Sequence, residues 1–363
     1  MKRVFHLFKP PDFAKARLDW SFLEGATRKS WQYASSGKAC IHHILRALGG
    51  EGKILVPAYA CQSILVPVRR LGLQPVYYDL DVEDLNGSVE SIQAISTKEK
   101  AHIVLVASLY GNPANLIQIE RFCRDQGLLL IDDAAQSFGA MLGGRHVGTF
   151  GDAGFFSFGP GKATAAHMGG AFWVESEYSP PASRHCAVHY ARWLNFYFNR
   201  LRIYEYERLA TFRGAVARLA RFVEHRADLT NDGICRFEEP ILGGVLSGLL
   251  NGAFAFRQRF HERFVTTFRE GACFRAIQSI RGQPHNHKLV LLAQSAQAAA
   301  ALKRHLEEHG IACLEGYAPL TAELSELPTL RSILGRVLEL PIEDDRAKMD
   351  FLFERLSRFQ LAV

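Results

Sequence analysis

The chain has 363 residues, 48% of them hydrophobic and 22% charged, with a formal net charge of +6. That length exceeds what one ordinary small core needs and fits about two domains, and the composition excludes disorder as the main theme. The positive excess is modest and spread along the chain, with no nucleic-acid-binding motif beside it, so it predicts solubility and attraction of anionic small molecules, and no nucleic-acid partner.

In chain order, short apolar runs alternate with helix-like segments, the pattern of βαβ units and a mostly parallel sheet. Strands are predicted over 53–56, 75–78, 103–107, 128–131, 154–158 and 171–174. Helices are predicted over 38–48, 62–71, 89–95 and 115–126. From about Pro180 the character changes: residues 186–226 are rich in arginine and aromatics, including Arg192, Trp193, Tyr197 and Arg200, and carry helical periodicity. A boundary is predicted near Asp228-Leu229-Thr230-Asn231-Asp232-Gly233. A long helix follows over 246–269, then a strand over 288–292 and a helix over 296–309 that stops at Gly310. The expected organisation is a large domain over 1–235, with a helical excursion at about 186–226, and a smaller α+β domain over 236–363.

Seven cysteines (Cys40, Cys61, Cys123, Cys186, Cys235, Cys273, Cys313) are odd in number and contain no C-x-x-C, which suggests neither a disulfide framework nor a zinc site. A reducing cytoplasm fits that usage. The N-terminus lacks the apolar stretch of a signal peptide, and no run of about 18 apolar residues occurs anywhere. His285 and His287 flank an asparagine in a polar turn with no third ligand nearby; they are expected to be exposed, and no metal is expected.

The chemistry concentrates at two places. Lys162 sits in Gly159-Pro160-Gly161-Lys162 after one apolar run, and Asp133 sits in Asp132-Asp133-Ala134-Ala135-Gln136 after another. A lysine that forms a Schiff base with an aldehyde cofactor needs a carboxylate to keep a pyridine nitrogen protonated, so this pair points to pyridoxal 5'-phosphate. In open α/β sheets ligands gather at the carboxyl ends of strands, where Pro57-Ala58-Tyr59, Asp132-Asp133 and the Lys162 turn are all expected. A Walker A loop fails as a rival: Ala163 follows Lys162, and Phe156 stands where the first glycine is needed. Taken alone, Gly-Pro-Gly-Lys is more often a surface turn, and Asp132 reads as a solvated or helix-capping carboxylate with no catalytic role.

Residues 56–170 resemble the DegT/StrS-type sugar aminotransferases, a branch of the fold-type I, aspartate-aminotransferase-like enzymes. The runs that carry the resemblance include Val56-Pro57-Ala58-Tyr59, Leu109-Tyr110-Gly111-Asn112-Pro113-Ala114, Ile131-Asp132-Asp133-Ala134-Ala135-Gln136, Phe150-Gly151-Asp152-Ala153 and Gly169-Gly170, in the family's order. A weaker echo, Arg336-Val337-Leu338-Glu339-Leu340-Pro341-Ile342, resembles its closing strand and loop. The resemblance implies an α/β fold-type I transferase, with a mostly parallel large-domain sheet flanked by helices and a smaller C-terminal α+β domain. It makes Lys162 the Schiff-base lysine and Asp133 the partner of the pyridine nitrogen, and it sets Gln136 beside the ring hydroxyl edge. Ser157 would bind the cofactor phosphate. Gly37, Lys38 and Ala39, after Ser36 at a helix start, would offer it backbone N–H groups, and Tyr59 and Cys61 would lie near the cofactor face.

By the same resemblance the chain is expected to be a homodimeric aminotransferase (transaminase) that moves an amino group from an amino acid, glutamate, to a nucleotide-linked keto sugar for cell-envelope polysaccharide or glycoside biosynthesis. Two alternatives stand beside this: a sugar dehydratase or deoxygenase, whose deoxygenase branch typically replaces the lysine with histidine, and a catalytically weak cofactor-binding partner protein. The sequence departs from the family at Lys38, Cys61 and Met168, and at Pro240-Ile241-Leu242-Gly243-Gly244-Val245, where the family usually carries an asparagine that reaches the neighbouring subunit's cofactor. For the arginine- and aromatic-rich segment the expectation is packing within the dimer, with peripheral contact to an anionic membrane as the functional alternative.

Overall fold

The computed structural model describes residues 24–25, 27–159, 162, 169–179, 254–277, 281–285, 287–342 and 345–361. The arginine- and aromatic-rich segment, the 235/236 boundary and residues 240–245 lie outside the described residues. Strand β1 (Gln32–Ala34) leads into helix α1 (Gly37–Ala47), then β2 (Lys53–Pro57), α2 (Leu65–Arg70), β3 (Gln74–Tyr78), α3 (Val89–Glu99), β4 (Ile103–Ala107), α4 (Leu116–Gln126) and β5 (Leu129–Asp133). A two-residue hairpin, β6 (Met141–Leu142) with β7 (Arg145–His146), precedes β8 (Ala153–Ser157) and β9 (Gly170–Val174). The remainder comprises α5 (Phe254–Thr267), β10 (Phe274–Ala276), β11 (Lys288–Ala293), α6 (Ala296–Glu308), β12 (Leu314–Glu315), α7 (Pro328–Ile333), β13 (Val337–Pro341) and α8 (Arg346–Leu361).

The first sheet has seven strands in the order β1-β9-β8-β5-β4-β2-β3. The stretch from β8 to β3 is parallel, while β9 and β1 run antiparallel at one edge. Both faces are covered, as the near-continuous apolar strands require. Alternation still sorts each strand: Ile54, Val56, Ile103, Leu105 and Ile131 join one core with α1 and α2, whereas Leu55, Val104, Val106 and Leu130 join a second with α3 and α4. The sequence reverses direction between β2 and β4, which makes their carboxyl ends a topological switch point, the place where open α/β sheets bind ligands.

A four-stranded antiparallel sheet, β10-β11-β13-β12, packs one face against the first core through Val290, Leu292 and Val337. Its other face meets α5, α6 and α8 in a third core built on Phe264, Phe274, Leu291 and Leu356. Polar ties reinforce the join. Asp79 accepts the Thr329 and Leu330 N–H groups at 2.8 and 2.9 Å, and Leu320 N–H donates to the Ala58 carbonyl at 2.8 Å.

Each predicted strand and helix among the described residues is present, with bounds shifted by a few residues. The largest consequence is at β5: the strand runs through Asp132 and Asp133, which the sequence reading placed after it. Strands β1, β10 and β12 are too short to show alternation, and the reading did not assign α8, although Met349, Leu352, Phe353 and Leu356 are buried at helical spacing. His285 and His287 are buried, not exposed; His285 Nδ1 lies 2.6 Å from the Phe138 carbonyl, under the packing of the second sheet.

Candidate active site

At the carboxyl edge of the parallel strands lies a pocket of about 170 Å³. The turn after β2 contributes Cys61 and Ser63, the end of β4 and the turn after it give Ala107 to Leu109, β5 and the turn after it give Asp133 and Gln136, and β8 gives Ser157. Ser36, Gly37 and Lys38 close one side and Lys162 another. Of the residues the sequence reading assigned, Gly37, Lys38, Cys61, Asp133, Gln136, Ser157 and Lys162 meet here. Ala39 and Tyr59 are not part of the wall. The Ala39 N–H is spent on the Ser36 side chain at 3.2 Å, and Tyr59 turns its hydroxyl to Tyr110, 2.9 Å away.

Period-two geometry separates the two aspartates. Asp133 shares the sheet face of Ile131 and reaches the pocket, while Asp132 shares the opposite face with Leu130. The expectation that Asp132 is solvated or caps a helix is wrong: it is fully buried, and its Oδ2 accepts the Gly148 and Phe150 N–H groups at 2.6 and 3.1 Å. Gly148 sits at φ +98°, where an L side chain is strained and a Cβ would come within 2.7 Å of the Phe156 ring. Asp132 thus pins a turn behind the site.

Asp133 Oδ1 accepts the Ala135 N–H at 2.9 Å. Burial pushes its pKa up to about 6, against the opposing pull of that hydrogen bond and of the Lys162 charge. Lys162 is half-buried; loss of solvent lowers its pKa, and the Asp133 carboxylate acts in the raising direction. Burial thus works against the charged form of both groups, and their mutual attraction works for it.

The approach of the α1 N-terminus to Ser157 has a steric basis. Ser36 is the N-cap of α1 and holds its first turn, and a helix N-terminus offers donors and a partial positive charge to an anion. A Cβ at Gly37 would stand 3.0 Å from both Cβ and Oγ of Ser157, so glycine keeps the gap between helix start and β8 narrow. These residues could hold pyridoxal phosphate: Lys162 for the aldehyde, Asp133 for the ring N–H, Gln136 for a ring oxygen, and the Ser36–Lys38 turn with Ser157 for the phosphate. Among the described residues no cluster of histidine, cysteine or carboxylate side chains could hold a metal ion.

The sequence reading missed Ser63, Ser108 and Leu109 in the wall. A signal for the last two was present, since they directly follow the apolar strand β4. Asn86 holds their turn, accepting the Leu109 N–H at 2.8 Å and donating to the Asn112 carbonyl at 3.2 Å.

Residues 30–194 match the model of the DegT/DnrJ/EryC1/StrS aminotransferase family. Over that stretch the chain is similar to this family. It is 36% identical over 145 residues to GDP-perosamine synthase of Escherichia coli O157:H7, covering 38% of this chain and 39% of that protein. It is 34% identical over 145 residues to UDP-N-acetyl-3-dehydro-alpha-D-glucosamine 3-aminotransferase of Acidithiobacillus ferrooxidans, covering 39% of each. The matches thus span about two fifths of the length of these relatives. The fold likeness runs further: a crystal structure of Streptomyces venezuelae DesV in complex with a ketimine intermediate superposes with a TM-score of 0.72 at 19% identity, covering 94% of this chain and 87% of that one. A family aminotransferase from Brucella abortus gives 0.71 at 18% identity, with 96% and 92% covered. The architecture is that of these fold-type I aminotransferases.

Proposed function

We propose that the protein is a pyridoxal-phosphate-dependent aminotransferase that moves an amino group from an amino acid, glutamate, to the keto group of a nucleotide-linked sugar. The observation that carries this is the convergence of Lys162, Asp133, Gln136, Ser157 and the Ser36–Lys38 turn on one pocket at the switch point. The relatives named as GDP-perosamine synthase and as a UDP-sugar 3-aminotransferase support the substrate class. We propose further that the enzyme works as a homodimer in the cytoplasm and serves cell-envelope polysaccharide or glycoside synthesis.

When bound, the cofactor supplies a conjugated electron sink next to the carbon that gains or loses a proton. Lys162 would hold it covalently. With the cofactor bound, the same Nζ, whose pKa burial lowers, would be the group placed to accept a proton from one carbon and return it to another. Asp133, buried and lining the pocket, would hold a proton on the ring nitrogen. Burial raises its pKa and the Lys162 charge acts in the lowering direction, so a cationic ring nitrogen in the pocket would further favour its charged form. Gln136 would orient the ring edge, and Ser157 with the α1 N-terminus would hold the phosphate independently of Lys162.

Relatives named as GDP-4-keto-6-deoxy-D-mannose 3-dehydratase also match the chain. Lys162 favours transamination over that reaction. Incubating the loaded protein with glutamate should bleach its visible absorbance, and a panel of keto-sugar nucleotides should restore it for the true acceptor. Cofactor binding without bleaching by any amino acid would reject the aminotransferase.

A further inference from the structure

A loop of the other sheet packs on Tyr59 and Tyr110, beside the pocket. Resting on the pyridoxal phosphate reading of the pocket, we propose that Tyr317, on the loop after β12, is a positioning residue that fixes the Gln136 amide with its nitrogen facing the pocket, and that Tyr59 and Tyr110 hold Tyr317 for that task.

The orientation of Gln136 follows from its hydrogen bonds. Its Oε1 accepts the Tyr110 N–H at 3.2 Å, and only the oxygen of an amide can accept from an N–H. The Nε2 group is therefore the donor on the remaining side. Tyr110 can reach because its backbone is left-handed, at φ 58° and ψ 11°, inside a buried turn. That region is strained for a residue other than glycine, and such conformations persist where the surroundings over-determine them.

The surroundings here are two more tyrosines. The Tyr110 hydroxyl lies 2.9 Å from that of Tyr59, whose oxygen accepts the Tyr317 N–H at 3.2 Å. The Tyr317 ring stacks on Tyr110, with centroids 5.9 Å apart and planes at 22°, and meets Tyr59 edge-on at 5.6 Å. Gly316 allows this approach. A Cβ there would stand 2.2 Å from the Tyr59 hydroxyl and 2.8 Å from Val337. A backbone bridge from Tyr59 to Pro319 closes the same loop onto the end of β2.

Gln136 acts in turn as a hydrogen-bond partner of the Tyr317 phenol, and burial keeps that phenol protonated. Because Nε2 donates, the phenol oxygen accepts, and the amide is held from both ends. Simple aromatic packing of the loop would need the rings alone; orientation of the amide needs the oxygen. Tyr317→Phe separates the two.

The loaded protein is titrated from acid to alkaline pH by its visible absorbance, and cofactor affinity is measured by equilibrium dialysis. A donor aimed at the ring oxygen favours its anionic form and lowers the proton affinity of the adjacent Lys162 linkage, so a loosened amide raises the titration midpoint. Gln136→Ala should raise it by about one unit, and Tyr317→Phe should raise it in the same direction by a smaller amount, with cofactor affinity weakened about two- to tenfold. An unmoved midpoint in Tyr317→Phe, or in Gln136→Ala, overturns the proposal. Should Tyr317→Phe fail to fold, Tyr59→Phe keeps its ring and loses both hydroxyl contacts, and an unmoved midpoint there decides against the proposal equally. A wild-type protein with no visible band and no adduct on Lys162 would instead bring down the cofactor reading on which this inference rests.

Discussion

The seven-stranded sheet lays five parallel strands side by side, so their carboxyl ends and following loops all reach one edge. The four-stranded sheet is antiparallel throughout, and its neighbouring strands end at opposite edges. The first arrangement gathers an amine, a carboxylate, an amide and a helix N-terminus from three separate chain segments. The second delivers one loop, with Tyr317, and otherwise stabilises. Parallel topology concentrates chemistry, and antiparallel topology buttresses it.

The largest test of that division is Lys162→Ala. Turnover should fall by about 10³-fold or more, because a covalent anchor and a proton carrier are lost together, while the melting temperature of the cofactor-free protein stays close to wild type. Borohydride reduction and peptide mass analysis of the wild type should put the pyridoxyl adduct on Lys162; an adduct on another lysine would move the site. Asp133→Ala should lower turnover by about 10²- to 10³-fold and weaken cofactor binding, as removal of one preorganised electrostatic group does. Near-normal turnover would remove Asp133 from the chemistry.

On the buttressing side, Leu291→Ala empties a fully buried position in the third core and should cost about 2–5 kcal/mol in denaturant unfolding. The absorbance midpoint of its loaded form should stay where the wild type's is; a shift would mean that the second sheet tunes the site through its core and not only through the Tyr317 loop. A smaller effect is expected at Lys38, on the first turn of α1. Lys38→Met should weaken cofactor affinity about tenfold in equilibrium dialysis if its ammonium supplements the cradle by one charge-assisted contact, and unchanged affinity would leave the backbone and Ser157 as the whole phosphate site.

The smallest expected effect is on the pH dependence of stability. Burial pushes Asp132 up to about 7 from an ordinary 3.8, so the folded chain holds that proton more tightly than the unfolded one. The contribution is fully present below pH about 4 and is lost as pH rises through about 7. Asp132→Asn keeps an oxygen for the Gly148 and Phe150 N–H groups and cannot titrate. Its melting temperature should therefore decline less between about pH 5 and pH 8 than that of the wild type. An identical decline in both proteins would assign the titration to another group.

The sequence by itself determined the parallel βαβ core and the pairing of Lys162 with Asp133, because apolar strands buried on both faces and the residues that end them leave local signals in composition and order. It also located the α1 N-terminus, where Ser36 and Gly37 precede a helical run. Tertiary structure alone decided which face each aspartate takes, since one residue of strand extension sends Asp132 to a buried turn and Asp133 to the pocket. It decided the burial of His285 and His287 as well, because their covering comes from Phe138 and other residues distant in sequence. The Tyr59–Tyr110–Tyr317 contacts belong to the same class. Three tyrosines separated by up to 258 positions carry no periodic mark, and only the docking of one sheet against the other brings their hydroxyls, rings and backbone N–H groups within bonding distance.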